Sequence, residues 1–150
     1  MNAGQMSAPC SQREIYIFEL WLTTSLASNP AIYYIHGGGW LIGSFPMYST
    51  YLKNMALETG SIIVAPEYRL APEHPFPAPF DDCMEGIEHV FKHAQELQID
   101  PTNIVLSGDS TGATMALSIS FTMASQENRK FKGNKYLFTS DNSKVTGGER

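Results

Sequence analysis

Long apolar runs are missing from this 150-residue chain. None approaches the roughly 20 residues that cross a bilayer, and residues 1–14 are polar, so neither a membrane anchor nor a signal segment is visible there. Cysteine is scarce. Cys10 and Cys83 are the only two, with no CxxC and no paired Cys/His spacing. A free buried thiol at Cys83 is therefore expected, with no disulfide framework and no metal site. A basic excess is missing as well. The formal net charge of −5 argues against non-specific nucleic-acid binding.

What is present reads as an ordinary globular composition, 43% hydrophobic and 17% charged, enough for one domain with a core. The charge is unevenly spread. Residues 1–125 hold four Lys/Arg against twelve Asp/Glu, and residues 126–150 hold six against three. This sets a composition boundary near Gln126. The expected organisation is a polar leader over 1–13, a folded part over 14–125 and a basic, solvated tail over 126–150.

The middle segment alternates strand and helix signals. Glu14–Leu22 is rich in β-branched and aromatic residues, and Ala31–Ile35, Ser61–Ala65 and Ile104–Ser107 are short apolar runs of buried-strand type. Tyr48–Thr59 carries a helical stripe that ends at Gly60, placed as a left-handed stop. Five prolines between Pro66 and Pro79 demand an extended loop. Asp81 and Asp82 are expected to open and cap the next helix, whose stripe is Ile87, Val90, Phe91, Ala94 and Leu97. A further helix covers roughly Thr111–Ala124. The order is that of a mostly parallel α/β sheet with flanking helices.

Two turns carry chemistry. Gly108-Asp109-Ser110-Thr111-Gly112 is a G-x-S-x-G placed directly after a strand and before a helix. So tight a strand-to-helix turn strains its middle residue and requires neighbours without side chains, which Gly108 and Gly112 provide. Ser110 would then project its hydroxyl above the sheet as a nucleophile. His36-Gly37-Gly38-Gly39-Trp40 follows another strand. Three glycines let backbone N–H groups approach a ligand and stabilise an oxyanion. Gly38 and Gly39 are the best such donors, with Gly37 and the amide of Thr111 beside them. A phosphate cradle is disfavoured because no Gly-Lys-Ser/Thr follows.

The remaining polar residues read more plainly. His36 is expected to anchor the glycine loop, with Gly108, Asp109 and Gly112 supporting the turn. His89 and His93 have the i, i+4 spacing of a metal pair, but no third ligand, and fit a solvated helix face. His74 lies among prolines and reads as structural. No cofactor and no metal are expected. The alternation of strands and helices disfavours an all-β, chymotrypsin-like serine protease.

The stretches HGGGW at 36–40, EYRLAPEHPFPAPFDD at 67–82 and GDSTG at 108–112 together resemble the hormone-sensitive-lipase-like branch of the α/β-hydrolases. In detail they resemble the arylacetamide deacetylase-like group most closely. The resemblance spans roughly residues 14–122. It implies a serine carboxylesterase or deacetylase acting on small-molecule esters or amides. Ser110 would be the nucleophile, Gly38, Gly39 and Thr111 the oxyanion donors, and the YRLAPE stretch a brace for the oxyanion region. It also implies an ER membrane or lumenal setting. The chain departs from the family pattern at Thr111, where Ala is usual, and at Ala113 and Thr114, where Gly-Asn is usual.

In this fold the triad acid and histidine follow the serine. No histidine occurs after Ser110, and the later acids are Glu127, Asp141 and Glu149. The chain thus looks like a C-terminally truncated member, a partial α/β-hydrolase fold lacking the last strands, with weak or no activity of its own. The alternative is a non-catalytic half-fold that serves as an interaction or ligand-binding module. The strand before Ser110 is covered on its far side only if Tyr136–Thr139 forms the next strand. A bare edge there would favour self-association.

Overall fold

The computed structural model describes residues 28–125 throughout, and beyond them the backbone of three strands. In chain order the elements are β1 (Gly4–Cys10), β2 (Arg13–Glu19), β3 (Asn29–Ile35), α1 (Phe45–Thr59), β4 (Ile62–Pro66), α2 (Ala78–Lys92), β5 (Ile99–Asp109), α3 (Thr111–Ser125) and β6 (Tyr136–Thr139). They form one sheet in the order β1-β2-β4-β3-β5-β6. Strands β3, β4, β5 and β6 run parallel, while β1 and β2 pair antiparallel with each other and β2 with β4.

The continuous apolar runs are explained by burial on two faces. Successive strand side chains point to opposite sides of a sheet. Tyr34, Ile63 and Ala65 pack on one side with Phe45, Leu52 and Ala56 of α1. Ala31, Tyr33, Ile35, Ile62 and Val64 pack on the other with residues of α2 and α3, including Cys83, Ile87, Met115 and Ile119. No position of β4 has a solvent face, and all five of its residues are buried. Cys83 is a free, buried thiol, and burial pushes its pKa up.

Several boundaries differ from the sequence expectation for definable reasons. Gly4–Cys10, inside the polar leader that the sequence suggests, is strand β1, paired residue by residue with β2. Tyr136–Thr139 lies inside the basic tail but is the segment named above as the candidate next strand, and it is strand β6, which covers the far side of β5 from Leu106 to Asp109. Helix α2 begins at Ala78, before the acidic pair, because Pro79 falls in the first turn, where a missing N–H is harmless. Asp82 is therefore not a cap. It is buried, and its carboxylate binds Arg69 in a fork at 2.9 and 2.8 Å and accepts the Arg69 backbone N–H at 2.9 Å. Helix α1 ends as its sequence predicts, with Gly60 at φ +65 and its N–H on the Ala56 carbonyl.

The topology marks one crevice. From β3 the chain crosses through α1 to β4 on one side, then through α2 to β5 on the other. The loops leaving β3 and β5 therefore diverge from neighbouring strand ends. Such a switch point at the carboxyl ends of parallel strands is where open α/β sheets bind ligands. The β3–β5 ladder closes at Ile35 and Gly108, which brings the HGGGW loop against the GDSTG turn.

Candidate active site

Ser110 sits between the last residue of β5 and the first of α3 at φ +50, a left-handed conformation that is strained for any residue with a side chain. It is exposed, and its hydroxyl makes no hydrogen bond among the described residues. The flanking glycines are obligatory on contact grounds. A Cβ on Gly112 would lie 2.0 Å from the Ile35 carbonyl oxygen, and one on Gly108 would lie 2.5 Å from the same atom. The start of α3 thus presses directly on the end of β3, and only that approach lets the serine crown the turn.

The glycine loop is tied to this turn by Asp109. Its Oδ1 accepts the Gly37 N–H at 2.8 Å and the Tyr34 hydroxyl at 2.9 Å, and its Oδ2 accepts the Tyr48 hydroxyl at 3.3 Å. Burial, and next the Asp109 charge, drive the pKa of Tyr34 far up, so that it serves as a fixed donor. Tyr48 is shifted up for the same two reasons. The Gly37 amide is spent on this carboxylate. Gly37, counted among the oxyanion donors on sequence grounds, has its N–H on Asp109 and ties the loop to the turn.

Beyond Gly37 the backbone bends sharply. Gly38 has φ +120, and a Cβ there would meet the Ile42 carbonyl oxygen, which leaves no residue but glycine. The Gly38 N–H has no acceptor among the described residues. The Gly39 N–H donates to Thr111 Oγ1 at 3.1 Å. Trp40 follows at φ +61, and its carbonyl accepts the Ala71 N–H at 2.8 Å, which pins the YRLAPE stretch to the loop. The other end of that stretch is held by Glu67, whose carboxylate accepts the Phe45 N–H at 2.7 Å.

His36 is buried beneath the loop. Its ring stacks on Tyr68 at 4.2 Å and on Tyr48 at 5.4 Å. Its Nδ1 lies 2.7 Å from the Gly37 carbonyl and 3.1 Å from the Tyr68 hydroxyl, which also donates to the His36 carbonyl. Among the described residues its Nε2 has no partner, and no hydrogen bond joins it to Ser110. His89 and His93 stack on each other 4.0 Å apart, and no group of three metal-ligating side chains occurs among the described residues. His74 is exposed.

A cavity of about 570 Å³ opens beside Gly39, within the size range of small-molecule sites. Trp40 and Leu41 of the loop, Phe76 and Phe80 around the start of α2, and Thr114 and Met115 of α3 line it, and no charged residue does. Sequence reading gave Tyr34, Tyr48 and Tyr68 no role at the site, and it took Asp82 as part of a helix cap. Their one visible signal is position, since each lies within or a few residues from a motif.

Comparison with known proteins agrees with this geometry. The family profile described as alpha/beta hydrolase fold matches residues 32–143. Tuliposide A-converting enzyme b1 of Tulipa gesneriana is 45% identical over 97 residues, which are 57% of this chain and 26% of that one. Carboxylesterase NlhH of Mycobacterium tuberculosis is 39% identical over 87 residues, 58% of this chain and 27% of that one. The crystal structure of the esterase of Pyrobaculum calidifontis superposes with a TM-score of 0.76 at 27% identity, covering 87% of this chain and 42% of that chain. The chain thus spans about a quarter of the length of the curated relatives it matches. With the sheet order, the strained serine turn and the profile match in agreement, the chain belongs to the alpha/beta hydrolase fold family.

Proposed function

We propose that this chain carries the nucleophile and oxyanion side of a serine carboxylesterase or deacetylase. Ser110 Oγ attacks the acyl carbon of a carboxylic ester or amide. The amides of Gly38 and Thr111, with Gly39 behind the latter, receive the negative charge that develops on the acyl oxygen. Asp109 and His36 position the loop. The substrate is neutral, with an apolar group seated between Trp40, Phe76 and Met115. The three motifs at 36–40, 67–82 and 108–112 support placing it in the arylacetamide deacetylase-like group. The observation that carries the reading is Ser110 at φ +50 between two glycines that admit no Cβ.

Hydrolysis by these 150 residues alone is residual on this reading. No histidine follows Ser110 in the sequence, and His36 is engaged with Gly37 and Tyr68. Serine hydrolases stripped of their triad keep roughly 10³–10⁴ over water from binding and the oxyanion hole. A fluorophosphonate probe tests the nucleophile. Slow labelling confined to Ser110, accelerated by added imidazole as an external base and lost in Ser110→Ala, is the expected result. An unlabelled Ser110 at every imidazole concentration would favour a non-catalytic ligand-binding or interaction module instead.

A further inference from the structure

We propose that the Thr111 side chain is itself an oxyanion donor, fed by the Gly39 amide. The inference rests on the reading above, in which an acyl oxygen collects charge between the glycine loop and the start of α3. Thr111 Oγ1 accepts the Gly39 N–H at 3.1 Å. An oxyanion accepting that proton would stand at about the same distance. The hydroxyl therefore occupies the place through which Gly39 would otherwise reach the substrate.

A hydroxyl accepts and donates at once. The proton of Thr111 Oγ1 has no acceptor among the described residues, so it is available to an oxygen beside Ser110. Two arrangements are open to an incoming oxyanion. If it expels the hydroxyl from Gly39, one hydrogen bond is exchanged for another. If the hydroxyl stays and donates, the Gly39 bond is kept and an O–H···O⁻ bond is added. Bonds of that charge-assisted kind are shorter and about twice as strong as neutral ones. The chain of donors also runs in one direction, from Gly39 N–H through the hydroxyl to the oxyanion, so each link polarises the next. The second arrangement wins on both counts. Thr111 is β-branched and opens a helix, which limits its rotamers, and the Gly39 bond favours the one that brings Oγ1 to that amide.

Phenylboronic acid tests the inference without turnover. Its boron bonds to a serine oxygen, the serine proton passes to buffer, and the tetrahedral adduct carries a negative charge toward the donors. Its affinity is to be measured by calorimetric titration of the whole chain and of Thr111→Val, Thr111→Ala, Thr111→Ser and Ser110→Ala, each first checked for cooperative unfolding. Loss of the hydroxyl in Thr111→Val and Thr111→Ala is expected to weaken binding about tenfold or more, and Thr111→Ser to recover most of it. Hydrogen exchange at the Gly39 amide should quicken in Thr111→Val. Alanine serves if the valine variant unfolds, since it removes the hydroxyl without adding bulk. Equal or tighter binding in the hydroxyl-free variants, with binding still lost in Ser110→Ala, would overturn the donor role and leave the nucleophile standing. Binding that survives in Ser110→Ala, or fails in the unaltered chain, would remove the serine reading and this inference with it.

Discussion

Strain at Ser110 is measurable by two substitutions that differ by one carbon. A left-handed backbone costs an L-residue about 1–2 kcal/mol, and glycine escapes that cost while losing about 0.5–1 kcal/mol through its freer unfolded chain. Ser110→Ala keeps the strain and should unfold close to the parent. Ser110→Gly should be more stable than Ser110→Ala by up to about 1 kcal/mol in denaturant titration. The opposite order would mean that the turn is relaxed. Asp109 presents a different residue-scale question. Three donors converge on its two oxygens: the Gly37 amide, Tyr34 and Tyr48. Asn in its place offers one oxygen and an NH₂ that faces donors. Asp109→Asn should cost about 1.5–3 kcal/mol, the range for hydrogen bonds to a charged group. Its second signature is functional, because a loosened glycine loop should slow fluorophosphonate labelling while Ser110 itself is untouched.

Between elements, the loop from β4 to α2 is held at several points, and the Arg69–Asp82 fork is the one that fastens it to a helix. The Asp82 side chain is almost wholly buried, whereas that of Arg69 is 39% exposed. That asymmetry sets the expected mutational order. Removing Arg69 leaves a buried charge with the Arg69 backbone N–H as its remaining partner in this fork, while removing both charges leaves apolar contact. Arg69→Met should lower the melting temperature, and adding Asp82→Leu should recover most of the loss. Additive losses in the double variant would show that the fork is not a coupled pair. The same element shows why the acidic pair was misleading as sequence. Asp81 and Asp82 look like a helix start, yet Pro79 already sits inside the first turn, and the partner that explains Asp82 lies in a loop thirteen residues earlier.

Across the whole molecule, local chemistry was readable and distant pairing was not. Strands β3, β4 and β5 announce themselves because two-sided burial demands unbroken apolar runs, and the serine turn because its glycines fall at the only compatible spacing. Strand β1 was hidden. Its sequence, with Gly4 and Pro9, has little strand character, and its conformation follows from pairing with β2. The Tyr34 and Tyr48 contacts to Asp109 were hidden for the same reason, being 75 and 61 residues apart in the chain. These buried hydroxyls give the fold a pH limit. Burial raises the pKa of Tyr34 and Tyr68 from 10.0 to above the experimental range, and that of the Cys83 thiol from 9.0. In the folded chain these groups stay protonated; in the unfolded chain they ionise. Above about pH 9 the unfolded state therefore binds fewer protons than the folded one, and stability must fall as pH rises. Melting temperature measured from pH 8 to pH 11 should decline, and part of the phenolate absorbance should appear only with unfolding. A flat melting profile with all tyrosines titrating in the folded chain would mean that Tyr34 is open to solvent and that the donors holding the glycine loop to Asp109 are not locked in place.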